Sequence, residues 1–198
     1  MGFDPDWVWI KSRNKSTSHL LNDTVRGANK SLFSEGDTAE TANNGGGYLS
    51  AFVTDGFSVT SGSSGDDAVN DGTGTYVSWN WKAGGTPTAN NSESSGDVPT
   101  AGSVKIDGVN LATGLQGSLP ATRLSANTKA GFSIVTYTGN NSDGATVAHG
   151  LTQKLDALFI KKRADNSSSG NTGYWIGQHV GLATDPEGDE HSFTLSSY

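Results

Sequence analysis

Two stretches of this chain repeat one pattern at a distance. DPDWVWIKSR occupies 4–13 and LDALFIKKR occupies 155–163. Each sets an Asp before an apolar run and closes it on Ile-Lys-x-Arg. The alternation in DWVWIK has the period of two that belongs to a β-strand, whose successive side chains face opposite ways. The sequel agrees as well: a polar loop, then HLLNDTVRG in the first series and YWIGQHVG in the second. An internal duplication of this kind points to tandem modules built from paired strands. One face of the repeated strand is aliphatic in both copies, Val8 and Ile10 in the first, Leu158 and Ile160 in the second. That face is the expected core of each copy. The opposite face changes from Trp7 and Trp9 to Ala157 and Phe159, a more variable environment.

Between the copies lie further short runs. YLSAFVT-DG-FSVTS places Asp55-Gly56 between two alternating segments, a hairpin signal, with Phe52, Phe57 and Val59 expected to point inward. A loop, SSGDDAVNDGTG, leads into TYVSWNWK, where Val77, Trp79 and Trp81 share one face. Low hydrophobic content (33%) and 27 glycines would suit a disordered chain, but the 5 Trp, 7 Phe and 5 Tyr gather in the short runs. The expected fold class is therefore all-β, an antiparallel two-sheet β-sandwich in tandem or partial modules. Residues 1–85 read as one module, the C-terminal part of the repeat. Residues 86–130 read as a Gly/Ser/Thr/Asn-rich linker with a small hairpin at Asp107-Gly108, and LPATRLSANTKAG as an extended approach to the next unit. Residues 131–198 read as a second β module, the N-terminal part of the repeat.

Charge and composition exclude several classes. The net charge is −7 and no basic stripe interrupts it. A nucleic-acid partner needs clustered Lys and Arg to neutralise phosphates, so none is expected. No apolar run approaches the length of a membrane span, and the N-terminus lacks a basic-then-apolar secretion signal. The chain has no cysteine, so disulfides and thiolate metal sites are ruled out.

SANTKAGFSIVTYTGNNSDGATVAHGL, followed by a strand ending in IKKR and a Trp-containing strand, resembles a module of tailed-bacteriophage virion proteins, especially those of marine phages. DPDWVWIKSRN, SHLLNDTVRG, LSAFVTDGFSV and TYVSWNWKAGG are similar to the remainder of the same module. The resemblance covers the chain apart from 86–125. It implies a laminin-G or concanavalin-like (jelly-roll) sandwich and a tail-fibre or other appendage protein, located on the virion. It further implies copies of itself or other virion proteins as partners, a homo-oligomer, and contact with host-surface polysaccharide. The first copy lacks the opening GFSIVTYTGN and ATVAHGL strands, and the second lacks the closing hairpin and YVSWNWKAGG strand. Either the chain samples a longer array, or the two parts complete one sandwich.

Candidate chemistry is sparse. Trp7, Trp9, Trp79 and Trp81 form two Trp-x-Trp strands, and an exposed set could stack on sugar rings; the plainer expectation is that they fill the sandwich core. Asp66, Asp67, Asn70 and Asp71 put oxygen ligands on a Gly-containing loop, the donor type that calcium takes, although the spacing is not that of an EF-hand. The plainer reading there is a polar hairpin loop. His19 falls at the repeat position of Trp175 and reads as a packing or surface residue, and His149 sits in a His-Gly turn. His179 and His191 with Asp185, Glu187, Asp189 and Glu190 read as a solvated acidic tail before a cation site. Arg13, Arg26, Lys161 and Lys162 close strands and read as solvated rim charges. No HExxH, GxSxG or P-loop occurs, and the carboxylates fall in loops rather than at paired strand positions. A non-catalytic protein is therefore expected, with a carbohydrate-active enzyme or a stand-alone lectin-like module as alternatives.

Overall fold

A computed structural model of the chain describes residues 2–42, 45–63, 67–164, 173, 175–181 and 193–195. Among the described residues there are fourteen strands and no helix. The fold is all-β and sandwich-like, built from several mostly antiparallel sheets.

The central sheet holds β1 (Trp7–Ser12), β2 (Leu20–Asp23), β3 (Gly27–Phe33), β4 (Thr41–Ala42) and β7 (Tyr76–Trp81), in the order β4-β3-β2-β1-β7. A hairpin of β5 (Tyr48–Val53) and β6 (Gly56–Thr60) covers one of its faces. Val8, Ile10 and Leu20 on the sheet meet Leu49 of the hairpin, with Phe52, Phe57 and Val59 packed around them. Those three are the residues expected to point inward. The hairpin loop is Thr54-Asp55 and not Asp55-Gly56: Val53 pairs with Gly56, and Asp55 takes the left-handed conformation at φ 60°.

The opposite face of the central sheet receives a second sheet of β12 (Ala157–Ile160), β13 (Trp175–His179) and β14 (Phe193–Leu195). Trp175 is buried there against Leu21 and Leu32, with Trp7 and Trp9 beside them, and its indole Nε1–H donates to the Phe33 carbonyl at 2.8 Å. The layers thus run hairpin, central sheet, second sheet.

The duplication in the sequence is a duplication of register. Val8 faces Asn22 as Leu158 faces Gln178, and Ile10 faces Leu20 as Ile160 faces Ile176. The bond beyond the pair repeats too: Thr24 N–H to the Asp6 carbonyl and Val180 N–H to the Asp156 carbonyl, both 2.9 Å. The surroundings differ. The expectation that Leu158 and Ile160 are core residues is corrected, because both are exposed. The hairpin and flanking strand that bury Val8 and Ile10 act on β1, and no counterpart lies over β12 among the described residues.

Residues 86–130, which have linker composition, contain three strands: β8 (Val104–Ile106), β9 (Val109–Asn110) and β10 (Ala121–Asn127). They form a sheet with β11 (Phe132–Tyr137), in the order β11-β10-β8-β9, in which β8 and β10 run parallel. The small hairpin turns at Asp107-Gly108, both at positive φ (52° and 87°). Composition misleads here because the core is made of small side chains. Val104, Ala121, Leu124 and Ala126 are its centre, and Ser103 and Ser125 are fully buried beside them. Gly84 approaches so closely that a Cβ would meet the Ala126 and Lys105 carbonyl oxygens at 2.5 Å. The Ser125 hydroxyl accepts from the Gly84 N–H at 2.8 Å and donates to the Gly85 carbonyl at 2.7 Å, tying this sheet to the end of β7.

Candidate functional site

Strand parity and register together assemble an aromatic ladder. On β1, Val8 and Ile10 take the hairpin side, so Trp7 and Trp9 take the other. Antiparallel pairing with β7 sets Trp7 opposite Trp81 and Trp9 opposite Trp79. The cross-strand ring centroids are 4.5 Å and 5.6 Å apart, and Trp7 and Trp9 are 6.3 Å apart along the strand. Such separations fall within the range of favourable aromatic contact.

The four tryptophans named from sequence therefore meet on one surface, on the side of the central sheet opposite its hairpin-covered core. Aliphatic side chains occupy that core, and the indoles lie between the central sheet and its outer neighbours. The ladder has a closed end and an open end. At the closed end Phe132 of β11 stacks on Trp7 (5.7 Å, 27°) and on Trp81 (6.2 Å, 23°). At the open end Trp79 keeps 46% of its surface exposed.

Phe132 was not named from sequence, and His19 was read there only as a packing or surface residue; both belong to this cluster. Register could have found His19, since it lies beyond Leu20 on the strand that pairs with Trp9. Its ring sits 5.8 Å from Trp9, and its Nδ1 accepts the Trp9 indole N–H at 3.2 Å. Burial lowers the His19 pKa; the Glu35 charge pulls it back up and Lys11 adds to the lowering. A neutral imidazole is thus part of the ladder's support. Because the folded value lies below the ordinary one, the unfolded chain takes the proton first. The contribution to stability is present above about pH 6.5 and is lost as pH falls through the folded value. Near-ultraviolet circular dichroism of the tryptophans is expected to change in that acid window in wild type. The change should be absent in His19→Gln, whose amide oxygen can accept the same bond without titrating.

The described part of the 66–71 loop, 67–71, is organised by hydrogen bonds from backbone N–H groups. Asp67 is buried, its Oδ1 accepting from the Val69 and Asn70 N–H groups, both at 2.9 Å, and its Oδ2 from Gly62 N–H. Asp71 Oδ1 accepts from the Thr73 N–H and hydroxyl, both at 2.7 Å, with Lys15 Nζ 3.8 Å from its Oδ2. Those hydrogen bonds, from Thr73 above all, hold its pKa below the usual carboxylate value, and the Lys15 charge adds a smaller pull. The two carboxylates are thus turned to different backbone segments rather than to a common point. Asp66 lies outside the described residues, as do His191, Asp185, Glu187, Asp189 and Glu190. Among the described residues no cluster of three His, Asp or Glu side chains could hold a metal ion.

Two of the expected rim charges are not on the rim. Arg26 is buried within bonds to Asp23, Glu40 and two backbone carbonyls. Lys161 is half-buried, with Nζ donating to the carbonyls of Asp37 and Gly173, and burial lowers its pKa against a smaller upward pull from Asp37. Arg13 and Lys162 are exposed. Elsewhere, a shallow groove of about 530 Å³ runs past Ile106, Leu111, Leu115, Val147 and Leu151. Among the described residues, His149 is its one titratable lining residue and no carboxylate lines it. The His149 Nδ1 accepts the Leu151 N–H at 3.2 Å, which holds the turn.

Layered β-sheets and a half-covered aromatic ladder define this chain as an all-β, sandwich-like module. It belongs to the family described as Domain of unknown function (DUF7483), which matches residues 1–111 and again 106–189. No curated protein and no solved structure matches it. Among the described residues no helix is long and apolar enough to cross a membrane.

Proposed function

We propose that this chain is a structural and adhesive module of a phage tail appendage, that it assembles there with other virion proteins or copies of itself, and that its aromatic ladder contacts host-surface glycan. The virion setting rests on the sequence resemblance. The observation that carries the adhesive reading is Trp79: a large indole, 46% exposed, held against Trp9 at the open end of a ladder whose other end is packed. Sugar rings present flat apolar faces of C–H groups to such a surface. An indole already fixed by its neighbours loses little freedom when a ring stacks on it, so more of the contact energy appears as affinity.

The test is titration of the folded chain with a panel of polysaccharides extracted from bacterial surfaces, read by calorimetry. Selective binding is expected. Trp79→Ala should weaken it about tenfold, which corresponds to about 1.4 kcal/mol. Trp79→Phe should retain part of it. The melting temperature should move little, since the ring is half in solvent. A folded chain that binds no member of the panel, or binds equally well without Trp79, would leave the module a spacer and remove the adhesive role.

A further inference from the structure

The indoles do not fill the whole ladder face of β1. Trp7, Trp9 and Lys11 share that face by strand parity. Lys11 lies opposite Val77, one row beyond the Trp9–Trp79 pair. The Arg13 N–H still donates to the Thr75 carbonyl at 2.7 Å, so Arg13 begins the next row at the same parity. Each row is two residues, about 7 Å, along the strand. At the other end Phe132 lies over Trp7 and Trp81. A chain of sugars with one ring on Trp79 therefore has to run toward the two cations.

The charge there runs against that of the chain. The protein carries −7 overall, with 20 Asp and Glu against 13 Lys and Arg. Residues 7–22 hold Lys11, Arg13 and Lys15 and neither Asp nor Glu. Two acids approach from other segments: Glu35 Oε2 accepts the His19 backbone N–H at 3.2 Å, and Asp71 Oδ2 stands 3.8 Å from Lys15 Nζ. Arg13 is exposed, and among the described residues its guanidinium has neither a carboxylate nor a carbonyl partner. Lys11 is half-buried, its Nζ donating to the Ser12 carbonyl at 2.9 Å and to the Lys15 carbonyl at 3.3 Å. An ammonium carries three N–H donors, so one remains for a ligand. The two carbonyl bonds also fix the charge before a ligand arrives, which lowers the cost of ordering it on binding.

We propose that the open end of the ladder takes an acidic polysaccharide, with one sugar ring on Trp79 and the carboxylate of a uronic-acid unit on Arg13 and Lys11. The inference rests on the reading of the ladder as a glycan surface and names the class of glycan. Stacking by itself selects weakly, because most sugar rings offer an apolar C–H face to an indole. Selection comes from the cations. The planar guanidinium fork matches the two oxygens of a carboxylate, and the ammonium adds a charged donor beside it. A neutral glycan would leave both cations without a partner.

The probes are a galacturonic-acid hexamer and a neutral glucan hexamer, each titrated into the full chain by calorimetry. The uronate should bind about tenfold more tightly than the glucan, or better. Arg13→Gln should weaken uronate binding about tenfold, the loss of one charge-assisted contact, and leave glucan binding as it is. Its melting temperature should match wild type, because the side chain is exposed. Trp79→Ala should weaken the binding of both. Equal affinity for the two hexamers, or uronate binding that Arg13→Gln leaves unchanged, would overturn the proposal; loss of that same binding in Trp79→Ala would still keep the ladder as a glycan surface. Uronate binding that survives Trp79→Ala would make the cations a charge patch with no stacking partner, and would also overturn it. No uronate binding by the folded chain overturns the proposal too, while the ladder reading stands or falls on the extracted polysaccharides.

Discussion

Asp6→Ala is expected to cost about 3–5 kcal/mol, while Asp156→Ala, the same change at the repeat-equivalent position, is expected to stay within about 0.5 kcal/mol. The difference lies in what each carboxylate touches. Asp6 is buried, and its Oδ1 accepts the Thr24 hydroxyl at 3.0 Å. Its Oδ2 takes the N–H groups of Ala83 and Gly85 and faces the Lys82 ammonium. Removing the side chain leaves a buried hydroxyl and two backbone donors without an acceptor, and each such loss costs about 1–3 kcal/mol. It also frees the segment that joins β7 to the β8–β11 sheet, since Gly84 and Gly85 are bound next door by Ser125. Asp6→Asn should recover only part of the loss, because its amide turns two donors toward groups that are donors themselves. Asp156 is exposed, so its truncation removes no such set. Urea denaturation of both variants, followed by tryptophan fluorescence, gives the comparison. Equal effects at the two positions would mean that the carboxylate network is not what holds the first unit closed.

That asymmetry also marks where the sequence is legible. The alternation of DWVWIK separates two faces, and the duplicated pattern places His19 opposite Trp9's strand at the repeat position of Trp175, as the register of both hairpins does. The hairpin at 48–60 and its inward Phe52, Phe57 and Val59 follow from period and turn chemistry, with an error of one residue in the loop. Parity cannot say which layer covers a face. Leu158 and Ile160 have the pattern of Val8 and Ile10, yet burial depends on a covering hairpin that is remote in sequence. For the same reason the tryptophans, the largest apolar groups present, lie outside the hairpin-covered core. Beyond the hairpin at Asp107-Gly108, the sheet at 104–127 was hidden because Ser, Ala and Gly pack by backbone approach rather than by bulk, which leaves a composition like that of a linker. For Asp67 the sequence left a ligand reading open beside the plainer polar hairpin loop, because its partners are backbone N–H groups, which a sequence does not display. Arg26 looked like a rim charge because Glu40, which it meets, lies fourteen residues away.

Arg26→Ala is expected to destabilise the fold by about 3–5 kcal/mol, since it removes one partner from a buried charge network and strands the others. The Arg26 side chain is 4% exposed. Nε binds Asp23 Oδ2 at 2.5 Å, Nη1 reaches the Lys30 carbonyl at 3.0 Å and Glu40 Oε2 at 3.2 Å, and Nη2 binds the Leu21 carbonyl at 2.9 Å. Four acceptors in a planar fork suit arginine and no other side chain, so Arg26→Lys should recover little of the loss. The network does more than hold β2 to β3. Glu40 also accepts from Arg163 Nε and Nη2, both at 2.9 Å, and Arg163 follows β12. One glutamate therefore ties the central sheet to the second sheet. Burial alone would raise the Glu40 pKa, but the Arg163 hydrogen bond and the charges of Arg26 and Arg163 outweigh it and hold it below the ordinary value. A carboxylate depressed in this way contributes stability above its unfolded pKa, and that contribution is lost as pH falls through the folded value. In Arg26→Ala the depression should shrink, so the variant should lose less stability than wild type between the ordinary glutamate range and more acid pH. Denaturation midpoints across that window, in wild type and variant, measure both effects. A uniform offset at every pH would mean that Arg26 stabilises by its carbonyl bonds alone and that Glu40 is held by Arg163.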